Sequence, residues 1–239
     1  AAARRAATGE ASAAAPPASS SFAPPRQPPV LPGVMRHFAT PIYRRRLRPV
    51  RHDADVEQLN RELLTEAEMF FQMDEEGQRW SSRHYLGGYT SYNSMRTLHR
   101  MSSTFGDLER FINRHVRRFA AYLDVEDPRK LSMTDCWVNV MPQGTSHGLH
   151  IHQSSSISGT YYVQTPEGCS GIRFEDPRLD RMMAAPPRSD TVRRANRELV
   201  EYPARAGDVI LFESWLRHSV AASTCEEERV SISFNYHWC

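Results

Sequence analysis

Hydrophobic and polar positions change their period about halfway along the chain. From Asp55 the apolar residues Val56, Leu59, Leu63 and Phe70 recur at helical spacing among Glu and Arg, so an amphipathic helix is expected to about Met73. The run Gly87-Gly88-Tyr89-Thr90-Ser91-Tyr92-Asn93 breaks it with turn chemistry. A second helix is expected from Thr104, with Phe105, Leu108, Phe111, Ile112, Val116, Phe119 and Leu123 on one face. Thr104, with Asp107 three places on, resembles a capping box at its start. His115 shares the apolar side and reads as a packed histidine rather than a ligand. After Pro128 the period becomes two. Strands are expected at Cys136–Met141, Leu149–His152, Ile157–Gln164, Gly171–Glu175, Val200–Pro203, Asp208–Glu213, His218–Ala221 and Arg229–His237. Short strands parted by Gly, Pro and Ser clusters predict a mainly β fold, an antiparallel jelly-roll-like barrel, with the earlier helices bracing the outer face of a sheet.

The ends and the composition narrow this picture. Residues 1–34 are rich in Ala, Ser, Pro and Arg, with Glu10 their only acidic side chain. Such a composition cannot bury enough apolar surface to offset chain entropy, so disorder is expected there. It is also the look of a plastid or mitochondrial transit peptide, or its remnant; the equal alternative is a plain low-complexity extension. Order is expected to begin near His37–Tyr43, an apolar segment with strand character, and to continue as one domain over 35–239: a strand and supporting helices over 35–130, then the β-core over 131–239. A net charge of +2 gives no reason to expect nucleic acid as a partner. No apolar run has the length a membrane span needs. The four cysteines, Cys136, Cys169, Cys225 and Cys239, are dispersed with no CxxC, which suits a soluble protein of a reducing, intracellular compartment and argues against a disulfide framework or a zinc ribbon. Between Pro177 and Arg197 lies an aperiodic stretch with several Arg, read as a solvated surface loop; the alternative is that its Arg residues meet an anionic substrate.

Candidate chemistry centres on Ser146-His147-Gly148-Leu149-His150-Ile151-His152. On a strand, His150 and His152 at i, i+2 would share a face, as two ligands on one metal require, and neutral imidazole is a common ligand of first-row metals. Alone, the pattern equally fits a His-rich surface loop. Further on, Gly207–Glu213 forms an apolar run, His218 follows it, and Arg229-Val230-Ser231 opens the last alternating segment. An early His pair, a late lone His and an Arg after it fit a metal held on one side, with the Arg fork gripping a carboxylate of a co-substrate.

With those residues in view, the half from about Trp137 to the end resembles the double-stranded β-helix, a cupin-like jelly roll, of Fe(II)/2-oxoglutarate-dependent oxygenases, and more narrowly a 2OG-Fe(II) oxygenase group of uncharacterised substrate. The shared phrases are Trp137-Val138-Asn139, His150-Ile151-His152, Ser158-Gly159-Thr160-Tyr161-Tyr162, Phe174-Glu175-Asp176-Pro177-Arg178 and Arg229-Val230-Ser231-Ile232-Ser233-Phe234-Asn235. Phe38-Ala39-Thr40-Pro41-Ile42-Tyr43 is similar to a phrase with which the same group opens. The resemblance implies Fe(II), 2-oxoglutarate as co-substrate and, as an accessory, ascorbate. It implies a dioxygenase that hydroxylates an unidentified small molecule or protein side chain. By it, His150 takes the first ligand position, His152 the place of the usual carboxylate and His218 the distal position. A third imidazole in place of a carboxylate leaves the site more cationic. Two alternatives at that position are a His152 that stands beside the metal with water in its place, and a less favoured His147. Arg229 would hold the far carboxylate of 2-oxoglutarate, aided by Ser231 on the same strand face, with Asn139 and Tyr162 as supporting contacts; the alternative for these two is a simple core or barrel-face residue. The competing reading of Arg229 is a surface ion pair with Glu226, Glu227 or Glu228. Asp176 and Arg178 read as a turn-fixing salt bridge, and Trp137 and Trp215 as packing beside the site. Two other functions remain open: a three-His cupin-like dioxygenase that uses no 2-oxoglutarate, and a non-catalytic β-barrel binding module. A serine hydrolase is disfavoured, since no Gly-x-Ser-x-Gly elbow occurs.

Overall fold

In the computed structural model the described residues are 32–35, 37–47, 56–85 and 87–239. Nearly all of the expected disordered extension lies outside them. The chain divides into units 1–39 and 40–239, and the elements below all belong to the second. Among the described residues, six strands form one antiparallel sheet: β1 (Tyr43–Arg46), β2 (Tyr89–Thr90), β3 (Leu131–Met141), β5 (Ile157–Gln164), β8 (Asp208–Glu213) and β10 (Arg229–Trp238), in the order β1-β8-β5-β10-β3-β2. Four more form a smaller antiparallel sheet: β4 (His147–His150), β6 (Ile172–Glu175), β7 (Leu199–Tyr202) and β9 (His218–Val220), in the order β4-β9-β6-β7. The helices are α1 (Val56–Met73), α2 (Glu75–His84), α3 (Leu98–Met101) and α4 (Ser103–Tyr122).

Period-two alternation gives the larger sheet two unlike faces. Val138 of β3, Tyr161 of β5, Val209 and Leu211 of β8, and Ile232 and Phe234 of β10 share one core with Leu59 and Leu63 of α1 and Phe105, Leu108, Ile112, Val116 and Phe119 of α4. Each such side chain, fully buried, contributes about 1.5–3 kcal/mol. Two phenols fix the helices on this face: Tyr161 donates to Asn60 Oδ1 at 2.6 Å and Tyr236 to Asn113 Oδ1 at 2.7 Å. The opposite face carries Tyr162, Ile210 and Phe212, which meet Ile172 and Phe174 of the smaller sheet in a second, smaller core. It also carries Asn139, Arg229, Ser231 and Ser233, which line a pocket instead.

Several expectations are refined. The α4 cap is Ser102, not Thr104: the Ser102 side chain accepts from the backbone N–H of Thr104 at 3.1 Å and of Phe105 at 3.4 Å. Thr104 instead donates its hydroxyl to Glu66 of α1 at 2.6 Å, and Asp107 pairs with Arg110. Strand character begins only at Tyr43, so most of the His37–Tyr43 segment is not strand. The expected turn-fixing bridge is present, with Arg178 Nε 2.9 Å from Asp176 Oδ1. Arg181 also reaches Asp176, at 3.0 Å.

His115 packs as expected of a core histidine. Its Nδ1 accepts from the Tyr43 hydroxyl at 2.7 Å, and burial, reinforced by Arg118, Arg114 and Arg45, lowers its pKa to about 4. An unfolded His titrates near 6.5. As pH falls from about 6.5 to 4 the unfolded chain therefore takes up this proton before the folded one, and stability present above that window is lost through it. His115→Gln should make the pH dependence of unfolding free energy shallower, by up to one bound proton, between pH 4 and 6.5. Urea titrations across that range check it, and an unchanged slope would contradict the assignment.

Candidate metal centre and co-substrate pocket

β4 and β9 pair antiparallel with His150 opposite His218, so the smaller sheet itself brings two distant histidines side by side, ring centroids 4.2 Å apart. His152 arrives differently. The strand expected over Leu149–His152 ends at His150, so alternation along one strand does not align the pair. Past the strand end, the His152 backbone N–H donates to Ser214 O at 3.0 Å, in the turn after β8. That bond turns the imidazole back into the pocket, 5.7 Å from the Trp137 ring and 5.0 Å from that of His218. One potential ligand atom from each of His150, His152 and His218 lies within 4.8 Å of the other two.

Two of the three imidazoles are oriented from behind. His150 Nδ1 donates to Gly148 O and His218 Nδ1 to Leu216 O, both at 2.8 Å, since a carbonyl can only accept. Nε2 of each is thereby unprotonated and turned into the pocket, as in metal sites where the other ring nitrogen is held by a carbonyl. The Asn235 side chain stands near the third ring, His152, its Oδ1 accepting from Ser158 at 2.8 Å and its Nδ2 donating to Asp135 at 3.3 Å. His152 Nε2 and His218 Nε2 lie 3.1 Å apart; two nitrogens at right angles, each about 2.1 Å from one ion, would be about 3.0 Å apart. Burial, then His150, lowers His152 to about 4, and the same two causes lower His218 to about 2. Burial also lowers His150. All three are therefore neutral at pH 7, the form that ligates. The donor set fits a first-row divalent ion with coordination positions to spare. His147 stacks on His150 at 4.1 Å but stands outside the mutual cluster.

Across the pocket, Arg229 is 4% exposed. One terminal nitrogen donates to Ser170 O at 2.8 Å, the other contacts Met141 Sδ, and Nε has no partner. Among the described residues no carboxylate forms an ion pair with it, Glu226, Glu227 and Glu228 included. A buried cation without a counter-charge is costly, and this one opens on the same pocket as the three imidazoles. Ser231 is buried on the same face of β10 and opposite Tyr162 in register. The Tyr162 ring lies 5.7 Å from the Arg229 guanidinium. Asn139 lines the pocket too, but its amide is engaged: Oδ1 accepts from Thr90 at 2.9 Å and Nδ2 donates to Ser233 at 3.0 Å. Trp137 is buried and lines the pocket, whereas Trp215 is 48% exposed and is not among the lining residues. The polar lining residues given no role from the sequence include Ser233 and Tyr85. Ser233 was legible two places after Ser231 on one strand face; Tyr85, at the end of α2, carries no local signal.

Residues 135–235 match a family model described as "Putative 2OG-Fe(II) oxygenase". They belong to the 2OG-Fe(II) oxygenases. The matched stretch contains the three histidines, Arg229, Ser231, Asn139 and Tyr162. Solved structures share its fold. A Pseudomonas putida prolyl-4-hydroxylase aligns at 13% identity over 84% of this chain and 94% of that one, TM-score 0.53. The epimerase SnoN, in complex with Fe3+, alpha ketoglutarate and nogalamycin RO, aligns at 18% over 83% and 79%, TM-score 0.54. A prolyl hydroxylase from Trichoplax adhaerens, in complex with a hypoxia inducible factor peptide fragment, aligns at 14% over 82% and 83%, TM-score 0.55. A Burkholderia pseudomallei oxygenase of the family is spanned over just 53% of its length. No curated protein sequence matches the chain.

Proposed function

We propose that this chain is an Fe(II)- and 2-oxoglutarate-dependent dioxygenase that hydroxylates its substrate, with His150, His152 and His218 as metal ligands and Arg229 and Ser231 holding the far carboxylate of 2-oxoglutarate. The observation that carries this reading is the buried, unpaired Arg229 guanidinium, with an orphaned N–H, in the same pocket as three convergent neutral imidazoles. Fe(II), when bound, supplies the redox chemistry by which O2 oxidatively decarboxylates 2-oxoglutarate to succinate and CO2 and delivers the second oxygen atom to the substrate. The chain's own residues do the rest. The backbone carbonyls of Gly148 and Leu216 fix the orientations of the His150 and His218 rings. Arg229 supplies a bidentate fork of fixed direction, and Tyr162 walls the pocket beside it. The two sheets are read as a double-stranded β-helix, with α1 and α4 bracing the outer face of the larger one.

The His150-x-His152 pair also supports a second reading, a three-His dioxygenase that binds its substrate at the metal without 2-oxoglutarate. An unpaired Arg229 has no role in that chemistry, which is why it ranks second. Substrates of either kind fit the fold: the SnoN complex holds a small molecule and the Trichoplax complex a peptide. Among the described residues no helix is long and apolar enough to cross a membrane. Ascorbate, as an accessory reductant, belongs to this proposal rather than to any residue seen here. The deciding experiment loads the protein with Fe(II) anaerobically, titrates 2-oxoglutarate, admits O2 and measures succinate, with and without ascorbate. Succinate release with saturable 2-oxoglutarate binding is expected. No binding and no succinate would leave the second reading.

A further inference from the structure

We propose that Tyr85, outside the 135–235 oxygenase domain, donates its hydroxyl to the carboxylate that Arg229 holds, so that the helical segment before the β-core supplies part of the co-substrate site. The inference rests on the 2-oxoglutarate reading above and adds a residue to it.

Tyr85 caps the C-terminal end of α2, its N–H bonded to Ser81 O at 2.8 Å. It is 4% exposed and lines the same pocket as Arg229, yet its hydroxyl, though buried, has no hydrogen-bond partner. A buried phenol without a partner loses its water for nothing. Arg229 Nε is a second orphaned donor of the same pocket. The two lie near enough for the Arg229 charge to bear on the phenol, although burial is the larger influence and pushes its pKa up to about 12. The hydroxyl is therefore neutral at pH 7 and keeps its proton to donate. Two unsatisfied donors lining one pocket, one of them cationic, call for an anionic acceptor, and a carboxylate has oxygens for both.

The ring is held for this task. Its edge meets the His147 ring, with centroids 5.5 Å apart. Beneath it Gly88 donates to Tyr85 O at 2.9 Å. A Cβ at Gly88 would stand 2.9 Å from Tyr85 Cε1 and 2.7 Å from Thr145 Cγ2, so only glycine leaves the ring its seat. The segment is itself anchored: Asp74, at the start of α2, accepts from the Gly77 N–H at 2.8 Å and the Tyr89 hydroxyl at 2.7 Å. Tyr89 and Thr90 pair with Val140 and Asn139 of β3.

Tyr85→Phe removes only the hydroxyl. Calorimetric titration of 2-oxoglutarate into the Fe(II)-loaded protein under anaerobic conditions should show the dissociation constant rising about 10- to 150-fold, the span for a hydrogen bond to a charged partner. The Fe(II) dissociation constant should not move, and the Tm of the metal-free protein should stay level or rise, because an orphaned hydroxyl has no bond to lose. A variant that binds 2-oxoglutarate as tightly as the parent would overturn the inference while leaving the co-substrate reading intact. A lowered metal-free Tm with unchanged 2-oxoglutarate affinity would make the hydroxyl structural, and would overturn it too. A parent that does not bind 2-oxoglutarate at all would sink both together.

Discussion

His218→Ala is expected to abolish tight Fe(II) binding and, with it, succinate release. Disturbing the outer partners of a metal-bound histidine typically costs 10- to 100-fold in affinity, and removing the ligand itself should cost more, so a loss beyond about 100-fold is expected. His218 is also 4% exposed, its ring centroid 4.5 Å from that of Phe212, so truncation leaves a void that could lower stability without any metal being involved. A second variant separates the two effects. His152→Asp keeps a ligand at the position where the family places its carboxylate and should retain Fe(II) binding. Isothermal titration of Fe(II) into parent and both variants, with circular dichroism confirming the fold, decides the matter. Unchanged affinity in a folded His218→Ala would mean that the metal lies elsewhere.

Arg229 gives the second large effect, and one of unusual sign. Arg229→Lys keeps the charge and loses the planar fork; 2-oxoglutarate affinity should fall about 10- to 150-fold while Fe(II) affinity holds. Arg229→Met should remove measurable 2-oxoglutarate binding altogether. It should also stabilise the metal-free protein, since replacing buried charge by a well-packed apolar side chain can be worth about 1–4 kcal/mol. The lost bond to Ser170 O offsets part of that gain. Urea unfolding of parent and variant without metal reads the second effect. A destabilised Arg229→Met, with 2-oxoglutarate affinity intact, would mark the guanidinium as a structural tie.

How far these residues could be read from the chain depends on how local their signals are. β5 and β8 keep the bounds expected of them, Ile157–Gln164 and Asp208–Glu213. Both of their faces are buried, so a short apolar run bounded by turn residues marks a strand such as β8 rather than strict alternation. α1 likewise follows its apolar stripe to Met73. α2 was missed because it buries only Gly77 and Ser81, which leave no apolar stripe; its one clear mark is Asp74 as cap, with Glu75 and Glu76 behind it. His150, His152 and His218 come together as the motif implied, but for a reason partly outside it. The hydrogen bond from His152 to Ser214, not strand alternation, turns the third ring inward. Tyr85 shows the limit: it reaches the pocket through a helix end, a glycine and a two-strand pairing, none of which names a distant arginine.

The two sheets meet through a modest apolar core of Tyr162, Ile172, Phe174, Ile210, Phe212 and Leu216, and the site lies beside it. His150 and His218 belong to the smaller sheet, His152 is hooked to the turn after β8, and Arg229 stands on the larger sheet. A metal gripped by the histidines and a co-substrate running from it to Arg229 would together act as a clasp across the seam. Ligands that bind only the folded form hold it closed by mass action, and proteases feed on the opened form. The lifetime of this protein in a cell should then follow the supply of iron and of 2-oxoglutarate, so that scarcity thins the enzyme pool as well as idling it.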